Sequence, residues 1–200
     1  MPLRNAQFLS AFLIVAAGLP GIALAVDELN YSYVEAGYLI GEVESSGQDV
    51  DFTRLGGTAS YELTENFALF GTGFTGEVET TDIGAPRDID TRNLSAGLIA
   101  HFPLSKKMDL IVPMAIAYAR ARAGSNIQSD TGYSIAIGVR ALVTEYIELA
   151  GALQHVDIDD EEQSVTGSVR FHVNDIISVS LSGTAGEDAD SLGVGARFSF

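Results

Sequence analysis

The stretch Ser191-Leu192-Gly193-Val194-Gly195-Ala196-Arg197-Phe198-Ser199-Phe200 decides how the rest of the chain is read. In an extended strand, successive side chains point to opposite faces. Leu192, Val194, Ala196, Phe198 and Phe200 therefore share one side, and Gly193, Gly195, Arg197 and Ser199 share the other. The first side is oily and ends in aromatics. The second is small and carries one charge. An edge strand of a water-soluble sheet shows the same alternation, so the reading depends on whether the pattern recurs.

It recurs through the chain. Nine further segments read as strands, at about residues 31–41, 52–63, 67–76, 91–102, 109–122, 131–143, 146–156, 164–173 and 176–184. In one of them Leu94, Ala96, Leu98, Ala100 and Phe102 alternate with Asn93, Ser95, Gly97, Ile99 and His101. In 67–76 the apolar face is read as Ala68, Phe70, Thr72 and Phe74, with Leu69, Gly71, Gly73 and Thr75 opposite. Tight turns at 64–66, 103–108, 144–145 and 174–175 alternate with longer acidic connections, of which 77–90 is the longest. Ten strands follow; merging two weak ones would give eight. An even number places both chain ends on the side of the tight turns.

Which face is wet decides the class. A soluble barrel has an apolar lumen and a charged exterior, and a membrane barrel has the reverse. The minor faces carry Gly, Ser, Ala and Thr with a few charges, which suits a narrow lumen and makes a poor solvent surface. The major faces carry bulky aliphatics with aromatics near the ends. Glu35, Arg54, Glu62, Arg140, Glu148, Arg170 and Arg197 then point inward. Buried charges must be paired or solvated, so ion pairs are expected to cross the lumen and block free diffusion of solutes. The expected architecture is all-β: a transmembrane antiparallel up-and-down barrel.

Targeting and composition agree. Residues 1–25 carry a basic start, an apolar run and a small-x-small site at Ala23-Leu24-Ala25, and are read as a secretory signal peptide. Residues 26–200 form one barrel domain. There are 27 acidic residues against 11 basic ones, one of which is Arg4 in the leader. That balance argues against nucleic acid as a partner. Cysteine is absent, so disulfides and thiolate chemistry are excluded.

Tyr31-Ser32-Tyr33-Val34-Glu35-Ala36-Gly37-Tyr38, following the leader, and Ala196-Arg197-Phe198-Ser199-Phe200 at the end resemble small γ-proteobacterial outer-membrane β-barrel proteins. More loosely the chain is similar to the OmpA- and OmpX-like superfamily. The resemblance implies residence in the Gram-negative outer membrane and a barrel architecture; the partners expected there are lipid and lipopolysaccharide, and the barrel is expected to be a monomer. The resemblance also implies that Phe198 and Phe200 belong to the signal read by the barrel-assembly machinery. It carries no settled activity, cofactor or metal.

Small barrels include lipid A-modifying enzymes and proteases, so a catalytic grouping is one reading of the histidines. His155 and Asp157 lie two apart on one face and could form a base and its orienter. No serine nucleophile is placed beside them, and a hydrated rim is the simpler reading. His101 and His172 fall near tight turns on lumen faces, without metal-ligand spacing. Acidic connections such as Asp157–Glu162 are of the type that holds Ca²⁺ or Mg²⁺ weakly, but read more simply as a solvated rim. Arg120 and Arg122 share the apolar face just beyond Tyr118, where they could meet lipopolysaccharide phosphates. The expected role is structural or surface-interactive, with acidic loops displayed outward and no enzymatic activity; a narrow pore is the alternative.

Overall fold

A computed structural model describes Leu29 and residues 31–45, 48–80, 87–158, 161–187 and 189–200. The proposed leader, residues 1–25, lies outside the described residues. Ten strands form one closed antiparallel barrel. They are β1 (Tyr33–Ser45), β2 (Gln48–Thr64), β3 (Phe67–Thr80), β4 (Arg87–Ser105), β5 (Met108–Ala123), β6 (Asn126–Thr144), β7 (Ile147–Asp157), β8 (Glu161–His172), β9 (Ile177–Gly186) and β10 (Ala189–Ser199). Each strand pairs with its chain neighbours, and β1 closes the ring against β10 from Tyr33–Ser199 to Val43–Ala189.

The alternation places the oily faces outside. Ile116 is 69 % exposed, and Val139, Leu181, Leu192 and Val194 are exposed with it. An exterior this apolar is what hydrocarbon requires of a barrel wall. Aromatics collect at the tight-turn end: Tyr61, Phe67, Phe102, Tyr146, Phe171, Phe198 and Phe200 all face outward. Tyr38 and Tyr133 hold the other end of the band. These are the two girdles where amphipathic rings meet headgroups.

Two expectations are corrected. The first concerns β3, whose faces are reversed: Leu69 is 48 % exposed and Phe70 only 8 %. Phe67 and Leu69 fall on one parity and Phe70 and Phe74 on the other, so hydrophobicity alone does not choose a face. Glycines on the neighbouring strands do. Phe70 lies opposite Gly97 and Phe74 opposite Gly56, so each inward ring fills space that a side chain would otherwise take. A Cβ built on Gly56 would sit 2.6 Å from the Phe74 ring.

The second concerns the acidic connections, most of which are strand. β1 and β2 stay paired out to Ser45–Gln48, and β3 and β4 out to Thr80–Arg87. β2, β4 and β6 run 17, 19 and 19 residues, against the roughly 9–11 that cross a bilayer. Their excess stands beyond the apolar band as hairpins. The β5–β6 hairpin turns at Gly124, whose φ of +62° is left-handed backbone that glycine adopts without steric cost.

Candidate functional site in the barrel lumen

Inward charges gather near the tight-turn end, because β1, β5, β6, β7, β8 and β10 each contribute at that level. Glu35 on β1 accepts hydrogen bonds from Arg170 Nη2 at 3.0 Å, Arg197 Nε at 2.7 Å and Ser180 Oγ at 3.1 Å; Arg197 Nη2 donates to it as well. Arg170 also donates through Nη1 to Glu148 at 3.3 Å. Glu148 in turn takes two parallel bonds, both 3.1 Å, from Nε and Nη2 of Arg140. The result is an alternating chain, Arg197–Glu35–Arg170–Glu148–Arg140, running across the interior. Bidentate Arg–carboxylate contacts are directional as well as strong, so each member fixes the next. His172 Nε2 stands 3.6 Å from Glu148 Oε2 at its edge.

Aromatic rings floor this chain. Arg197 lies 3.6 Å over the ring of Tyr33, and Arg140 lies 4.6 Å over Tyr31. A guanidinium over an aromatic face gains from the ring quadrupole, the more so when water is excluded. Tyr31 precedes β1 and folds into the tight-turn mouth, where it is fully buried. Its hydroxyl donates to Asp109 at 2.8 Å, and its ring stacks on His101 at 3.8 Å. Burial pushes the phenol above its ordinary value, so it keeps the proton it donates. Glu62, half-buried, accepts from the Tyr31 amide at 3.3 Å and donates its own amide to Ser32 Oγ at 3.1 Å. These contacts tether the segment before β1 across the opening.

Further along the lumen, Arg54 stacks at 4.2 Å on Phe52 and has Glu162 as its electrostatic partner. Beyond them the interior turns apolar. Val43, Phe52, Val78 and Ala189 form one buried cluster, and Ala117, Ala119, Ala121, Val156 and Ile158 form another, with Ile89 packed against both. Beside Glu35 and Ser180 there is a void of about 50 Å³, room for water but not for a sugar or peptide.

All seven charges read as inward from the sequence stand on the inner faces. Glu35, Arg140, Glu148, Arg170 and Arg197 are brought into one network; Arg54 and Glu62 sit apart from it, above and below. Sequence reasoning missed Tyr31, Tyr33, Asp109 and Glu162. With them included, the described residues place four buried arginines, Arg54, Arg140, Arg170 and Arg197, alongside the inward carboxylates Glu35, Glu62, Asp109, Glu148 and Glu162. Glu162, expected in an acidic loop, is 1 % exposed on β8 and shares the parity of Ser164, which was its available signal.

The remaining candidates lie outside. His155 faces outward, its ring 6.2 Å from that of Tyr133, and Asp157 lies across from Tyr133 on the paired strand. Glu42 has Asp190 on one side and Asp51 on the other, a row of carboxylates at the hairpin ends. Among the described residues no three His, Asp or Glu gather closely enough to hold a metal ion. Arg120 and Arg122 face outward, and Arg92 on β4 stands directly opposite Arg120. Phe198 and Phe200 point out into the tight-turn girdle.

Comparison with known proteins gives the architecture a family. The profile described as outer membrane protein beta-barrel domain matches residues 9–165. No curated protein sequence matches the chain. Among solved structures, the translocator domain of autotransporter NalP from Neisseria meningitidis is similar at 9 % identity and a TM-score of 0.52, covering 86 % of this chain and 89 % of that one. OprG from Pseudomonas aeruginosa is similar at 13 % identity and a TM-score of 0.48, covering 88 % of this chain and all of the other. Ail of Yersinia pestis, at 14 % and 0.48, covers 83 % and 97 %. A profile spanning most of the chain, together with ten closed strands and an oily exterior, leaves one conclusion: the chain belongs to the outer membrane protein beta-barrel domain family and resides in the Gram-negative outer membrane.

Proposed function

We propose that the protein is a non-conducting barrel whose role is structural and surface-interactive, with acidic hairpins held outside the membrane. The observation that carries this reading is the filling of the lumen. The ion chain from Arg197 to Arg140 spans its width, Tyr31 occupies the tight-turn mouth, and the clusters around Phe52 and Ile158 occupy the other end. A solute would have to part bidentate ion pairs and then wet an apolar constriction, and both steps are costly.

The hairpin ends support the second half of the reading. Glu42, Asp51 and Asp190 stand side by side. Like charges directly opposite are destabilising and are tolerable only in water, so this row lies outside hydrocarbon. His155 and Asp157 face outward beside Tyr133 and belong to this outer rim, not to the lumen.

Planar-bilayer recording tests the proposal. Refolded protein, shown folded by its heat-dependent gel mobility, is expected to give no stable conductance steps. Large, reproducible steps would replace this reading with that of a narrow pore.

A further inference from the structure

We propose that the outer wall carries a site for the phosphate of an outer-leaflet lipid, formed by Arg92, Arg120 and Arg122 at the far ends of β4 and β5. The inference rests on the outer-membrane placement and does not depend on whether the lumen conducts. Arg92 and Arg120 are cross-strand partners on the outward face. Side chains so paired have Cβ atoms about 5 Å apart, and like charges there repel. Their row continues to Thr75 on one side and Ser129 on the other, so hydroxyls, and no carboxylate, flank the pair.

One step further out, Arg122 lies across from Asp90, with Glu77 beyond it, and donates from Nε to the Gly124 carbonyl at 3.2 Å. Asp90 and Glu77 therefore offset two of the three guanidinium groups and leave one positive charge in excess. Together with Thr75, Asp90 and Thr91, the three arginines line a cleft of about 280 Å³. Among the described side chains the other cations are elsewhere. Arg54, Arg140, Arg170 and Arg197 are buried in the lumen, and Lys106 and Lys107 form the β4–β5 tight turn at the opposite end. Among the described side chains, the positive charge on the far half of the wall therefore gathers in this cleft.

Its height selects the ligand. From Phe102 in the tight-turn girdle to Arg92 is ten residues along β4. At ~3.3 Å per residue and a tilt of ~40° this is a rise of roughly 25 Å, the thickness of the apolar band. The arginines thus stand at the far interface. Leu94 and Tyr118 lie directly beneath them, and Leu98, Met114 and Ile116 lie deeper. A lipid bearing phosphate at its head and acyl chains below matches both parts at once. Guanidinium forks grip phosphate oxygens bidentately, and a shared anion relieves the Arg92–Arg120 repulsion. Lipopolysaccharide, phosphorylated on its lipid A sugars, is the occupant we assign.

Native mass spectrometry of the detergent-solubilised barrel titrated with lipid A tests this. Bisphosphorylated lipid A is expected to bind about tenfold more tightly to the native chain than to R92Q/R120Q/R122Q. K106Q/K107Q, altered at the opposite end, is expected to bind like the native chain. Heat-dependent gel mobility confirms that each variant is folded. Equal binding by the native chain and the triple variant would overturn the proposal, as would equal binding of dephosphorylated lipid A. Displacement of lipid A by equimolar inorganic phosphate would assign the cleft to free anions instead. Loss of dimers in the triple variant with lipid A binding unchanged would assign it to the acidic hairpins of a second copy.

Discussion

Glu148 holds two arginines, Arg140 through both of its oxygens and Arg170 through one. Removing it leaves both cations buried with too little counter-charge. Glu148→Leu is expected to cost about 3–5 kcal/mol, read as a fall in the urea midpoint of gel mobility. Replacing Arg140 as well, in R140M/E148L, is expected to recover much of that loss, because an apolar pair needs no desolvation. If the double variant falls as far as the sum of the two single changes, the coupling between them is absent. The side of the wall on which each charge lies was legible in the sequence, since parity along a strand needs only the strand. The partner was not. Arg170 and Glu35 meet from β8 and β1, and nothing local in either strand encodes the curvature that brings them together. Asp109 and Glu162 escaped because each stands at the start of its strand or close to it, where the alternation is too short to assign a face.

The strands and their connections repay the same comparison. Ten segments of alternating character were visible in the sequence pattern, because lipid outside and small polar groups inside impose period two on every strand. The exception was β3, whose inward Phe70 and Phe74 depend on Gly97 and Gly56 across the sheet. That complementarity is tertiary and leaves no local mark. The hairpins were read as loops for a related reason: beyond the bilayer both faces meet water, so alternation fades while the backbone ladder continues. The segment before β1 is the element most open to test. Tyr31 contributes a buried ring and one hydroxyl bond. Tyr31→Phe is expected to cost about 1 kcal/mol and Tyr31→Ala about 3–5 kcal/mol, both measured as urea midpoints. Equal effects would mean that the hydroxyl bond, and not the ring filling the mouth, holds the segment.

For the molecule entire, the inside–outside inversion is the governing property. It makes substitutions that are harmless in a soluble protein severe here. Ile116 lies mid-wall at 69 % exposure, yet Ile116→Arg is expected to destabilise the folded barrel by about 2–4 kcal/mol in lipid vesicles. A loss confined to a few tenths of a kcal/mol would mean that this wall faces water. The same inversion bears on how the ring is completed. Glu35 belongs to the first strand and Arg197 to the last, and the two are direct partners across the seam where β1 meets β10. Until those edges join, each is a lone ion on an open, oil-bound sheet, and hydrocarbon rejects both. Their meeting neutralises the interior in the same event that removes the last unpaired backbone edge. An unfinished ring is thereby barred from the bilayer by its own charge, and a finished one has no electrostatic reason to reopen.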